Sequence, residues 1–252
     1  MEVEQHLSAL EVDGELLARA AARAGMAAAV PPCPGWQVRQ LLRHVGYVHR
    51  WAAAHVAQGS PKLVEALSEE EVLARGPDDG QLLAWFQHGH AELVRTLRAA
   101  DPELQCWTFL QAPSPLAFWA RRQAHETAIH RADAEAACGA ISGFDPQFAV
   151  DGIDELLLGF ASREWNPRAV TEDRTLAVHC LDTPTNWLVH LDPGGVKAWR
   201  GLGDADSEIV GTASDLYLVL WNRPPTTPGG VSVRGEPGGL QLWRATIQVG
   251  WS

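Results

Sequence analysis

The chain has 252 residues, 46% of them hydrophobic and 20% charged, with eleven tryptophans, which describes a globular protein longer than one ordinary domain. A formal net charge of −11, with no basic run longer than Arg121-Arg122, argues against nucleic acid as a partner, because the field repels a phosphate backbone. No apolar stretch approaches the roughly 18 residues of a membrane span and the Met-Glu-Val-Glu start is unlike an export signal, so no membrane partner and a cytoplasmic location are expected.

The first half reads as helices. Leu7, Leu10, Leu17, Ala21 and Ala24 recur at helical spacing and predict a first helix ending near Gly25. The Val-Pro-Pro-Cys-Pro-Gly run at 30–35 breaks it. A second helix carries Val38, Leu41, Leu42, Val45, Val48 and Ala52 on one face and stops at Gly59-Ser-Pro61. A looser acidic stretch at 65–79 leads into a third helix with Leu83, Phe86, Leu93, Val94 and Leu97, ended by Asp101-Pro102. After a segment rich in proline and aromatics, a fourth helix is expected from about Trp119 to Cys138, closed by Gly139. Four amphipathic helices in this order predict a bundle over residues 1–145.

Beyond 145 the pattern changes. A helical stretch at 148–165 is followed by strand-like runs at 176–181, 187–191 and 240–249, with residues 213–220 helical between them. Residues 146–252 are therefore expected to form a smaller α+β domain, so that the whole chain is α+β.

The fourth helix holds the most informative residues. Gln123, Glu126, His130 and Asp133 step by three and four into one polar stripe opposite Ala120, Ala124 and Ala128. Glu126 and His130, one turn apart on a shared face, are near enough to hold one ion. In the second helix His44 occupies a position that should face the bundle interior. Two histidines and a carboxylate match a catalytic zinc site with an open fourth position, and non-haem iron uses the same ligand types. The same spacing also fits a hydrogen-bonded core histidine beside an exposed Glu-His pair. The His125-Glu126 pair begins like HExxH, but the next histidine falls one residue late, which argues against a metalloprotease.

His90, on the apolar stripe of its helix, is a rival or additional ligand; His49, His55 and His88 read as surface or capping residues. Four cysteines (Cys33, Cys106, Cys138, Cys180) show no CxxC spacing and read as free thiols, Cys33 standing just before the second helix, where a thiol's pKa is sometimes lowered.

Three segments carry a family resemblance. PCPGWQVRQLLRHVG at 32–46 resembles the second-helix motif of the mycothiol-dependent maleylpyruvate isomerase family, and RRQAHETAIHRADAE at 121–135 resembles its fourth-helix motif. GTASDLYLVLWNR at 211–223 is similar to a segment of that family's second domain. The resemblance implies a DinB-like metal-binding bundle followed by a sterol-carrier-like domain. It places the zinc ligands on His44, Glu126 and His130, implies mycothiol, the actinobacterial counterpart of glutathione, as cosubstrate, and implies a C-terminal arginine that helps hold an acidic substrate, for which Arg223 and Arg234 both qualify.

On this reading a divalent metal, Zn²⁺ by expectation, activates a small thiol for attack on an electrophilic small molecule, as an isomerase or an S-transferase. Asp133 either accepts the second N–H of His130 or faces solvent near Arg122 or Arg131. Trp36 is expected to pack the helix entrance, and Trp119 to line either the core or the substrate site. Two other classes fit the same ligand set. One is a hydrolase activating water at the open position, with His125 as the nearest general base. The other is a non-catalytic metal-binding or sensor protein, which a fourth protein ligand such as His90 would favour.

Overall fold

The computed structural model describes residues 1–64, 76–163 and 170–249. The chain divides into two compact units, Met1–Ile141 and Ser142–Ser252.

The first unit is a helical bundle. Helix α1 spans Val3–Ala24, α2 Val38–Gln58, α3 Asp79–Ala99 and α4 Pro115–Ala136. The predicted helices are all present, and most of the acidic stretch at 65–79 lies outside the described residues. Local chemistry sets the ends. Gly59 takes φ 58° to close α2, its N–H donating to the carbonyl of His55. Asp78 caps α3 by accepting from the backbone N–H of Gln81. Helix α4 begins four residues earlier than its apolar pattern indicates, because Ser114 accepts from the N–H of Ala117 and Pro115 occupies the first turn, where its missing N–H costs nothing.

Helix α4 is the central element. Nearly every residue from Leu116 to Glu135 is buried, on the polar stripe as much as on the alanine face. A helix buried on all sides must satisfy its polar groups inside the protein, which turns that stripe into a network of paired side chains. Helix α1 packs along α4, and α2 packs on α3 and α4. Where α2 meets α3, Gly46 lies against the ring of Trp85 and Gly89 against the guanidinium of Arg50, with no room for a Cβ at either. Arg50 donates to the carbonyls of Gly46 (2.8 Å) and Trp85 (2.7 Å) and lies 3.7 Å from the Trp85 ring centre.

The second unit is α+β. Helix α5, Pro146–Asp154, continues as a π-helical turn, Glu155–Phe160, and the end of the predicted helix at 164–165 lies outside the described residues. Strands β1 (Arg174–Cys180), β2 (Asn186–Asp192), β3 (Gly195–Arg200), β4 (Ser207–Gly211) and β5 (Val231–Gly235) form one sheet in the order β3-β2-β1-β4-β5. All neighbours are antiparallel except β1 and β4. Helix α6, Ala213–Leu220, falls where predicted.

Residues 240–249, expected as a strand, instead form helix α7, Gly239–Thr246. Leu240, Leu242, Ile247 and Val249 supply the apolar content of a strand, but the buried positions of the element are Gly239, Trp243 and Thr246, whose steps of four and three are helical. Gly239 lets α7 approach β4 closely, since a Cβ there would meet the side chain of Ser207.

Candidate functional site

Three side chains from two helices of the first unit converge. His44 on α2 and Glu126 and His130 on α4 are all buried, and one ligand-type atom from each lies within 4.8 Å of the others. Glu126 Oε1 stands 3.4 Å from His44 Nε2 and 3.2 Å from His130 Nε2. The two imidazoles meet edge-on with ring centres 5.1 Å apart.

The hydrogen bonds behind these groups assign their protons. Asp133 Oδ2 lies 2.8 Å from His130 Nδ1, and a carboxylate only accepts, so Nδ1 carries a hydrogen and Nε2 is the ring nitrogen that faces Glu126. Glu126 Oε1 itself is buried and accepts no hydrogen bond, although an imidazole nitrogen stands close to it on each side. A buried carboxylate oxygen with no hydrogen bond, faced by two imidazole nitrogens, is a donor set that suits a positive charge held between them. The residues present therefore fit a divalent cation.

Glu126 is anchored by its other oxygen. Arg122, one turn earlier and wholly buried, donates from Nη2 to Oε2 at 2.8 Å. Burial alone would raise the Glu126 carboxyl, but His130, His44 and Arg122 together hold it well below the ordinary carboxylate range, so it is ionised. Asp133, one of the two readings of which was a solvent-facing aspartate, has no exposed surface. Its carboxylate also accepts from Cys33 Sγ at 3.4 Å. Trp36 packs against the core around Val30, Val38 and Leu41, as the helix-entrance reading expects, and its ring also meets His44 edge-on at 5.1 Å and lies nearly parallel to His130 at 6.4 Å.

The remaining candidates go elsewhere. His90 joins Leu10 O through Nε2 at 2.9 Å, over Gly14, which leaves it outside the cluster and removes the fourth-ligand argument for a sensor. It lines a groove of about 590 Å³ between α1 and α3 that includes none of the three converging residues. His49 and His55, read from sequence as surface or capping residues, are both buried. His49 Nε2 meets Thr127 Oγ1 at 2.8 Å, and burial, with His90 beside it, holds its pKa well below the usual imidazole range. His55 accepts from Val64 N–H at Nε2 and donates from Nδ1 to Trp51 O. Trp119 is wholly buried among Trp51, Trp107, Phe109 and Phe118, so it belongs to the core.

Arg223 and Arg234 lie in the second unit. Arg223 follows α6, half-buried, with Nη1 donating to the Trp221 carbonyl at 2.8 Å. Arg234 is exposed on the edge strand β5, opposite Glu208 in register.

A four-helix bundle with a buried two-histidine, one-carboxylate cluster, followed by an α+β unit, defines the class of protein. Residues 7–135 match the mycothiol maleylpyruvate isomerase N-terminal domain and residues 147–242 match the MDMPI C-terminal domain, so the chain belongs to the mycothiol maleylpyruvate isomerase family. Its fold is similar to crystal structures of the mycothiol-dependent maleylpyruvate isomerase and of a histidine-to-alanine mutant of that enzyme. The TM-scores are 0.63 and 0.64, at 15% and 14% identity, over 92% of this chain and 93% of each of those. No curated protein matches the sequence.

Proposed function

We propose that the chain is a thiol-dependent isomerase or S-transferase that binds one divalent metal, zinc, through His44, Glu126 and His130 and uses mycothiol against an electrophilic small molecule. The observation that carries this reading is the Glu126 oxygen, buried without an accepted hydrogen bond and faced by two imidazole nitrogens. Family membership supports the thiol and the isomerase class.

When bound, such a metal lowers the proton affinity of a thiol from its usual pKa of about 8.5, making a thiolate available at neutral pH. The rest of the work falls to the protein. Asp133 holds His130 in the Nδ1–H tautomer, leaving Nε2 as the ligand atom. Arg122 fixes the rotamer of Glu126 and offsets its charge, so that Oε1 is presented toward the histidines. Trp36 covers one side of both rings with an apolar surface. Arg223 and Arg234 are the candidates for holding an acidic substrate, and a guanidinium suits a carboxylate through paired N–H donors.

Metal analysis of purified protein, followed by assays with mycothiol and maleylpyruvate, tests the reading. Thiol regenerated with an altered double bond marks an isomerase, and thiol consumed marks a transferase. A protein that binds no stoichiometric metal overturns the assignment of the cluster.

A further inference from the structure

We propose that Cys33 is a positioning residue of the metal centre, acting on His130 through Asp133, an inference that rests on the metal reading above. Cys33 lies between Pro32 and Pro34 in the turn joining α1 to α2, and both prolines restrict the backbone that carries the thiol. The turn is closed on itself. Cys33 N–H donates to Val30 O at 2.9 Å, Trp36 N–H to Cys33 O at 3.0 Å and Val30 N–H to Trp36 O at 2.9 Å, while Ala29 and Gln37 form a β-bridge at its base.

From this fixed point the Cys33 S–H donates to Asp133 Oδ2 at 3.4 Å, the same oxygen that takes the Nδ1–H of His130 at 2.8 Å. Asp133 has no exposed surface, so protein donors, not water, decide where its carboxylate sits. A donor from the turn and a donor from α4 meet at one oxygen from different elements, which locates it better than either alone. The consequence reaches the proposed ligand atom, because the direction in which His130 Nε2 points follows the Nδ1–H···Oδ2 axis, and Glu126 Oε1 stands 3.2 Å from that nitrogen. Trp36, three residues along the same turn, packs on both imidazoles. One turn therefore supports the site from behind its histidine and from one side.

A thiol is a weak donor, so its removal should cost near the lower end of the roughly 10–100-fold loss in metal affinity that follows loss of a group behind a ligand. The test uses the full-length chain, with zinc affinity from chelator competition, the visible spectrum of the cobalt-substituted protein and helicity from circular dichroism. Cys33→Ala is expected to bind zinc about tenfold more weakly and to shift the cobalt bands. Cys33→Ser, which keeps a donor, is expected to recover most of both. Cys138→Ala, in the same unit but bonded to the Ala20 carbonyl, is expected to match the parent. If Cys33→Ala loses helicity, Cys33→Val, which keeps the volume without the donor, decides in its place. Parent-like affinity and spectrum in the donor-free variant overturn the inference, as does equal weakening by Cys138→Ala. A parent chain that binds no zinc fails the metal reading itself and this inference with it.

Discussion

At the scale of single residues, the ligand set is best tested at His44. Glu126 is tied to the buried guanidinium of Arg122, and removing one partner of a buried ion pair costs about 3–5 kcal/mol, so a Glu126 variant confounds metal loss with unfolding. His44 stands on α2, so changing it leaves the Arg122–Glu126 pair of α4 in place. His44→Ala is expected to abolish stoichiometric zinc while leaving the far-ultraviolet spectrum of the bundle nearly unchanged. Full metal retention in that variant would remove His44 from the site. Asp133→Asn is a gentler change: an amide keeps the shape but presents a weaker acceptor, and zinc affinity is expected to fall about tenfold or more by the same competition assay.

Between helices, polar pairs in the bundle decide how stability responds to pH. Asp13 on α1 lies 3.0 Å from Arg131 on α4, and burial raises its carboxyl to about 6 against the opposing pull of that arginine. An unfolded aspartate titrates near 3.9, so between about pH 4 and 6 the folded chain keeps a proton that the unfolded chain has released. Stability from this group is fully present below about pH 4 and is lost as pH rises toward 6, by up to about 1.4 kcal/mol per pH unit. Denaturant unfolding of metal-free protein should show Asp13→Asn flattening that slope relative to the parent, and parallel profiles would mean that Asp13 is ionised throughout. The α2–α3 contact gives a second test, since Gly46→Ala drives a methyl into the Trp85 ring and is expected to destabilise by about 1–3 kcal/mol in the same measurement.

Helices α1, α2 and α3 were legible because each shows a regular apolar face, whereas α4 is buried all round and was legible from its stripe of Gln123, Glu126, His130 and Asp133, in which the i, i+4 spacing of Glu126 and His130 survives any packing. The residues behind them were less so. Arg122 sits four before Glu126 and its pairing could have been read from spacing. Cys33 and Asp133 meet across 100 positions, which only the fold brings together. His49 and His55 looked polar enough for the surface, yet each finds a hydrogen-bond partner inside. Strands β3, β4 and β5 are only five or six residues long, and β5 is largely exposed, so they present little alternation to read. For α7 the apolar content of a strand outweighed the helical spacing of its buried positions.

For the whole molecule, the division of labour between the two units follows from where the residues lie. All three proposed ligands, together with Arg122, Asp133, Cys33 and Trp36, belong to Met1–Ile141, and both candidate arginines belong to Ser142–Ser252. If the first unit holds the metal and the second supplies the contact to an acidic substrate, the two activities should separate on truncation. A chain of residues 1–141 is expected to bind one zinc with the parent's affinity, because no ligand has been removed, yet to show no thiol-dependent turnover. Single changes in the full chain then assign the substrate contact. Arg223 is steadied by its bond to the Trp221 carbonyl, whereas Arg234 stands exposed on an edge strand, so Arg223 begins with less side-chain freedom to lose on binding. On that ground Arg223→Ala is expected to raise KM for an acidic substrate by about tenfold or more, the loss of a charge-assisted pair worth about 1.5–3 kcal/mol, with zinc content unchanged. Arg234→Ala should have the smaller effect. Steady-state kinetics with metal content measured on the same samples separates these outcomes. Equal turnover by the truncated bundle would place the entire reaction in the first unit and remove both arginines from it.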